Sequence, residues 1–161
     1  MEMTHYMELL ATNQPWNLLI FMAGPVILAE TIAIAELYLL YTRNMDGIAK
    51  KISRTAGIIA GVYFLGIFVY LFTNVVIPLT LHNGWRTFID GIAVGFYLSG
   101  VVPLLGMTLL ELNLVARKSD ALTKLKLHAI FVAIFLVVAH IAMITGMLSP
   151  SVFAGGAAMK M

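Results

Sequence analysis

Six ionisable side chains lie within stretches of sequence that are otherwise apolar. A charged group in hydrocarbon costs from about 3 to more than 10 kcal/mol, so such residues usually have a partner or a task. Carboxylates and imidazoles can each bind a cation or exchange a proton. With one tyrosine added, the sequence therefore predicts an ion or proton path of seven residues. They are Glu30, Glu36, Asp90, Tyr97, Glu111, His128 and His140.

Helical periodicity gathers part of this path onto one side of a single segment. At about 100° per residue, one face of the helix after Phe88 carries Asp90, Tyr97, Thr108 and Glu111. We expect this polar stripe to line the path from the outer edge of the membrane almost to the inner one. Upstream, Pro25 removes a backbone donor and is expected to release a carbonyl group near Phe21.

Methionine and histidine together indicate a second kind of chemistry, a soft metal ion. Met3 lies beside His5, and Met143 and Met147 share a helix face with His140. Thioether and imidazole groups suit Cu(I), or one axial position of a haem iron. Methionine is also a common filler of apolar cores. Two interpretations of these residues therefore remain: a transition-metal site for copper or iron, and a simple packing stripe.

The composition places all these residues in a lipid environment. Hydrophobic residues make up 61% of the 161 positions and charged residues only 11%, against about 25% in soluble domains. With a net charge of only +2 and no basic run, nucleic acid is excluded as a partner. No glycine-rich fingerprint for nucleotides is present. Because there is no cysteine, thiolate metal sites and covalent haem attachment are excluded.

Four segments are long and apolar enough to cross a bilayer, which takes about 20 residues. They run over about 16–41, 55–79, 88–116 and 127–148. Since short connections make neighbouring helices antiparallel, we expect an all-α membrane protein. Residues 1–161 would form one four-helix transmembrane domain, an up-down-up-down bundle.

Two pairs of glycines, each four residues apart, predict close helix packing within the chain or in a homodimer. They are Gly57 with Gly61 and Gly91 with Gly95.

Loop charges predict the orientation of the bundle. Basic residues remain on the cytoplasmic side, and eight of the ten lie in the first and third connections. We therefore expect those two loops in the cytoplasm and both termini outside. The acidic N-terminal lead favours a retained first span over a cleaved signal peptide.

The chain, with its distinctive segment NQPWNLLIFMAGPVILAET, is similar to small four-span proteins of bacterial membranes loosely called permeases. That resemblance implies an inner-membrane location and brings no functional residue.

The rise of a helix then separates the candidate residues into two levels. At about 1.5 Å per residue, Glu36 and Glu111 lie roughly 8–9 Å from the cytoplasmic ends of their spans. His128 lies near the same boundary. Glu30 and His140 lie roughly 18–20 Å in, near the midplane, where we expect them to face each other.

Structural roles compete with the path at several positions. Asp90, near the outer edge, is expected to pair with Arg86 or to act near a helix N-cap. Glu30 could be a protonated carboxyl group hydrogen-bonded across helices. The residues nearer the cytoplasm could pair with Lys124 or Lys126.

Three functions fit these elements. The favoured one is a permease-like transport protein, rather than an enzyme, that moves or binds a proton or transition-metal ion through its Glu and His residues. A b-type cytochrome or quinone-reactive subunit is the second, although both membrane histidines lie on one span, which prevents bis-His haem ligation within one chain. Haem is therefore less expected than a metal ion. The third is a non-catalytic accessory subunit. A homodimer or a larger membrane complex is the expected assembly.

Overall fold

The chain folds into helices that are long enough to cross a membrane. The computed structural model describes residues 4–148, and that part of the chain contains helices and no strand. Four long apolar helices, here called spans 1 to 4, are Trp16–Thr42, Ile48–Leu81, Phe88–Glu111 and Ala121–Met147. A short N-terminal helix, His5–Ala11, precedes them. Four helices of this length and apolarity indicate an integral membrane protein.

Spans 2 and 4 begin earlier than their apolar stretches. They start at Ile48 and Ala121, several residues before the apolar stretches begin near residues 55 and 127. A helix satisfies its own backbone groups and therefore continues through the polar membrane interface. At the start of span 4, the Asp120 side chain accepts a hydrogen bond from the Thr123 backbone N–H at 3.3 Å. Hydrogen bonding to Thr123 lowers the pKa of the Asp120 carboxyl below its usual value.

Span 3 ends at Glu111, before the end of its apolar stretch near residue 116. Asn113 and Ala116 adopt positive φ angles of 56° and 53°, a region that cannot continue a right-handed helix. The Lys124 Nζ atom donates a hydrogen bond to the Asn113 side-chain oxygen at 2.6 Å. The loop is thereby tied to the first turns of span 4.

Three of the spans are irregular. Span 1 contains a π-helical turn at Leu19–Ala23 and span 2 one at Phe72–Val76, each followed by a proline two residues later. Span 3 is interrupted at Gly100, between the helices Phe88–Ser99 and Val101–Glu111. Proline removes a backbone donor and crowds the turn before it, which accounts for the wider turns in spans 1 and 2.

The four spans form a closed bundle. Span 1 packs on span 2, span 2 on span 3, and span 4 on both span 3 and span 1. Short connections between contacting helices make successive spans run in opposite directions. Loops 43–47 and 112–120 therefore share one end, called the basic end below. Loop 82–87 and the N-terminal helix share the opposite end. Between the ends lies an apolar layer of fully buried side chains, Phe64, Leu104, Met107 and Phe135.

Glycine at position 61 is required by the approach of span 3. A β-carbon there would lie 1.9 Å from the Thr108 Oγ1 atom and 2.7 Å from the Leu104 carbonyl oxygen. One turn away, a β-carbon at Gly57 would lie 3.0 Å from the Nε2 atom of His128. The first glycine pair therefore provides close packing within the chain.

The second glycine pair has a different environment. Added β-carbons at Gly91 and Gly95 would meet no atom within 4 Å among the described residues. These positions do not supply a close approach inside this bundle, and a contact with a second copy there stays a prediction.

Candidate functional site

A carboxylate and an imidazole are in direct contact near the basic end. Glu36 lies on span 1 and His128 on span 4, and these residues are only 1% and 2% exposed. The Nδ1 atom of His128 contacts the Oε1 atom of Glu36. Ser53 of span 2 donates its hydroxyl to the same Oε1 atom at 3.2 Å. This contact therefore joins three of the four spans.

The other ring nitrogen of His128 faces a second carboxylate. Its Nε2 atom lies 3.6 Å from the Oε1 atom of Glu111, at the end of span 3. Neither this Nε2 atom nor the Glu36 Oε2 atom has a hydrogen-bond partner within residues 4–148. Buried polar atoms without partners are unusual and costly. They mark the place in the bundle where a proton or a polar ligand could be accommodated.

Two basic side chains of span 2 hold the Glu111 carboxylate. Lys50 donates from its Nζ atom to Glu111 Oε1 at 2.7 Å. The Nε atom of Arg54 lies 3.9 Å from Glu111 Oε2. Glu111 therefore links His128 to the cationic surface of the basic end. We call this set of residues the His128 cluster: Glu36, Lys50, Ser53, Arg54, Glu111 and His128.

The spacing of residues along span 2 explains how the cluster is built. Lys50, Ser53 or Arg54, and Gly57 follow one another at intervals of three or four residues, which places them on one helix face. The small residue at 57 leaves room for the ring of His128. Lys50, Ser53 and Arg54 precede the apolar stretch at 55–79 that predicts span 2, so the sequence did not indicate them as site residues. Their helical spacing relative to Gly57 was the signal available.

A cavity opens from the basic end to the cluster. Its volume is about 370 Å³, and both Glu111 and His128 lie on its wall. Four basic side chains and one further acid line it: Lys50, Lys51, Arg54, Lys124 and Asp46. The cavity therefore gives the otherwise buried imidazole a route to the basic end.

The whole chain, residues 1–161, matches one protein family, which is described as a family of unknown function, DUF6803. The chain belongs to the DUF6803 family. No curated protein and no solved structure shows significant similarity to it.

The opposite end of the DUF6803 protein holds another buried carboxylate. Asp90 is 0% exposed, and its Oδ1 atom accepts a hydrogen bond from the His5 backbone N–H at 2.7 Å. Its Oδ2 atom contacts the Nδ1 atom of His5. Arg86, the partner expected from the sequence, binds Glu8 at 2.7 Å. Asp90 is thus held by the N-terminal helix, which hydropathy does not place against the bundle.

Tyr97 lies between the two polar ends. Its buried hydroxyl donates a hydrogen bond to the Phe21 carbonyl oxygen, close to where Pro25 is expected to release one. Its ring packs against that of Tyr6, with 5.0 Å between the ring centroids. Burial raises the pKa of Tyr6 to about 12. The polar stripe of span 3 does face the interior, since Asp90, Tyr97 and Thr108 are all buried.

Glu30 and His140 do not meet inside the bundle. Both residues are exposed at its periphery, and no hydrogen bond or ion pair joins them. The Nδ1 atom of His140 donates to the Leu136 carbonyl of its own helix at 2.6 Å. Glu30 points about 120° away from Glu36 around span 1. Because Glu36 faces the interior, Glu30 faces outward.

The soft-metal candidates that the structure describes, His5, His140, Met143 and Met147, have different surroundings. His140 and Met143 line a cavity of about 250 Å³, whereas Met147 is 64% exposed. His5 is bound to Asp90, and Met3 lies outside the described residues. Within residues 4–148, no group of three or more His, Cys, Asp or Glu side chains is arranged to hold a metal ion.

Proposed function

We propose that this DUF6803 protein is a permease-like transport protein that binds and moves protons, with His128 as the proton-binding group. The supporting observation is the position of the His128 ring, which contacts Glu36 and faces Glu111 at 3.6 Å. A cavity leads to this ring from the basic end. Imidazole is the side chain whose protonation changes most readily near neutral pH, so the ring suits reversible proton uptake.

Protonation would add a hydrogen bond to the cluster. A neutral imidazole has one donor nitrogen, whereas the protonated ring donates from both. When both nitrogens are protonated, Nδ1 donates to Glu36, and the nearest acceptor for Nε2 is Glu111. One added proton thus supplies a partner for a buried ring nitrogen that now has none in the described part of the chain.

A proton fits this cluster better than a transition-metal ion. Lys50 already donates to the Glu111 oxygen nearest to His128, so that oxygen is not free for a metal. The four basic side chains on the cavity wall also repel a divalent cation on its way in. A proton can reach the ring through water and hydrogen bonds, without a cation-binding entrance.

The proposed orientation follows from the charges of the loops. The basic end would face the cytoplasm of a bacterial inner membrane, and both termini would lie outside. In this arrangement the His128 cluster is reached from the cytoplasm, and the apolar layer that contains Phe64 and Phe135 separates it from Tyr97 and Asp90. The proposed path contains polar groups on both sides of this layer. Glu111, His128 and Glu36 lie on the basic side, and Tyr97 and Asp90 lie on the other. Glu30 and His140 lie outside the path.

The test is the protonation of His128 itself. Protein carrying isotope-labelled histidine is placed in lipid nanodiscs, and its ring resonances are followed by NMR over about pH 5 to 8. We expect one titrating resonance to disappear in His128→Asn. That variant keeps an amide donor toward Glu36. His140→Asn is the matched control, because His140 lies on the same span outside the cluster.

Transport is measured with the same variants in proteoliposomes that contain a pH-sensitive dye. Under an imposed proton gradient, we expect flux in wild type and in His140→Asn, and loss of flux in His128→Asn and Glu36→Gln. A His128 ring that keeps one protonation state over this range, or flux that survives in His128→Asn, would overturn the proposal.

A further inference from the structure

We infer that the cavity at the basic end binds a phosphate-type anion, and that this anion and the proton on the His128 cluster favour each other's binding. The inference rests on the proposed function for the proton and names the class of substrate. The charges on the cavity wall carry it. Four side chains are basic, whereas Asp46 and Glu111 are the acidic ones. A concave site with an excess of one charge concentrates ions of the opposite charge.

Three of the four basic side chains are not neutralised by a close carboxylate. Lys51 makes no hydrogen bond or ion pair with any residue between 4 and 148. The Arg54 side chain is 58% exposed, and its closest contact with an acid is the 3.9 Å separation from Glu111. Lys124 donates to the neutral amide of Asn113. Only Lys50 is closely paired, at 2.7 Å from Glu111.

These groups have the chemistry that recognises phosphate. A guanidinium group offers several N–H donors in a planar fork, and an ammonium group adds a compact positive charge. Lys51 and Arg54 are neighbours on the first turns of span 2, and Lys124 approaches from span 4. The buried Nε2 atom of His128, which lacks a hydrogen-bond partner within residues 4–148, lies on the same wall but faces Glu111 at 3.6 Å, so the donors for the anion are Lys51, Arg54 and Lys124. A donor set on two sides of a cavity suits the oxygens of a tetrahedral anion.

Glu111 would couple the anion to the proton. Lys50 and Arg54 now lie against the Glu111 side chain, at 2.7 Å and 3.9 Å. A bound anion attracts these two cations and weakens their contacts with Glu111. The nearest remaining donor for Glu111 is then the His128 Nε2 atom, 3.6 Å away. Because Glu36 already contacts Nδ1, Nε2 can donate only when the ring is protonated.

Proton and anion would therefore bind together. Thermodynamic linkage is reciprocal, so lower pH must strengthen anion binding by the same factor by which the anion strengthens protonation. The charged groups around the ring that enter this balance are Glu36, Glu111, Lys50, Arg54, Lys124 and Asp46. The proton would partly compensate the negative charge of the anion when the two leave the basic cavity together.

The phosphate group could belong to a free anion or to an anionic lipid. Both sources are tested with the full chain in nanodiscs of zwitterionic phosphatidylcholine. Inorganic phosphate is titrated by calorimetry in one arm, and phosphatidylglycerol is added and followed by native mass spectrometry in the other. We expect saturable binding of one of these probes. Neither probe binding would overturn the inference.

Variants identify the site. We expect Lys51→Gln and Arg54→Gln each to weaken binding about tenfold, which is within the range for charge-assisted contacts. Lys126→Gln, an exposed lysine of span 4 that does not line the cavity, is the matched control. Equal binding by Arg54→Gln, Lys51→Gln and the control would place the anion elsewhere and overturn the inference.

The pH dependence tests the coupling and separates the two proposals. We expect binding to be roughly tenfold tighter at the acid end of the range, a normal size for coupled sites. That dependence should disappear in His128→Asn, which should still bind the probe. If His128 titrates but no probe binds, the proton function stands and the anion inference falls. If the probe binds with no pH dependence and His128 does not titrate, the coupling and the proton function both fall.

Discussion

The Nε2 atom of His128 lies 3.6 Å from the Oε1 atom of Glu111, and that same oxygen accepts a hydrogen bond from Lys50 at 2.7 Å. One carboxylate oxygen thus stands between a buried imidazole and a cation of the cavity wall. The distance to the imidazole is just beyond a hydrogen bond. A small shift of Glu111 toward His128 or toward Lys50 is sufficient to change the partners of both.

Removal of the His128 ring is expected to destabilise the protein strongly. His128→Ala leaves the Glu36 carboxylate buried with only the Ser53 hydroxyl as a donor, and breaking such a buried pair costs about 3–5 kcal/mol. Unfolding in mixed detergent micelles measures the change. Replacement of both Glu36 and His128 by leucine is expected to cost less than His128→Ala alone. His140→Ala is the control, and an equal loss in that variant would contradict the prediction.

Substitution of Gly61 by alanine is expected to disturb the packing of spans 2 and 3. The added β-carbon would lie 1.9 Å from Thr108 Oγ1 and 2.7 Å from a backbone oxygen of span 3, so the helices must separate. Overpacking of this kind costs about 1–3 kcal/mol. The melting temperature of the purified protein reports the loss.

Gly66→Ala is the matched control for that change. Gly66 lies on the same span, and an added β-carbon would meet no atom within 4 Å. Alanine is favoured over glycine in a helix by about 0.5–1 kcal/mol, so the melting temperature should stay unchanged or rise. If both variants melt at the same temperature, spans 2 and 3 do not approach closely at Gly61.

The contact between Asp90 and His5 is expected to hold the N-terminal helix on the bundle. Asp90→Ala removes both oxygens that contact His5 and leaves a part-buried N–H without its acceptor, at a cost of about 1–3 kcal/mol. Hydrogen exchange of residues 5–11 should become faster. Glu8→Gln, which weakens the more exposed ion pair with Arg86, should change stability by about 1 kcal/mol or less. Unchanged exchange in Asp90→Ala would contradict this role.

The cap of span 4 is expected to make stability depend on pH in the acid range. Hydrogen bonding to Thr123 lowers the pKa of Asp120 from its usual value of 3.8. A group whose pKa is lowered on folding stabilises the fold above its unfolded pKa, and this contribution is lost as pH falls through the lowered value. Asp120→Asn keeps an oxygen acceptor for the cap without the charge, so its stability should vary less over the same range. Parallel acid titrations of unfolding compare the two.

The four spans and the faces of their helices follow from the order of residues alone. Runs of about 20 apolar residues specify four membrane helices whatever their neighbours. Helical periodicity placed Asp90, Tyr97 and Thr108 on one side, and in the structure that side is buried. Depth and angle along one helix follow from rise and turn alone, which is why Glu36, Glu111 and His128 could be assigned to one level.

Which of these residues are in contact depends on how the helices pack together. The rotation of each helix about its axis depends on packing between helices, such as the fit of Gly61 against Thr108. Periodicity within one helix does not predict this rotation. Glu30 and His140 share a depth, yet both point outward. Asp90 takes its partner, His5, from a short helix that hydropathy overlooks. Pairing inside a membrane depends on interhelical rotation and on such docked segments, and both are set by the assembled bundle.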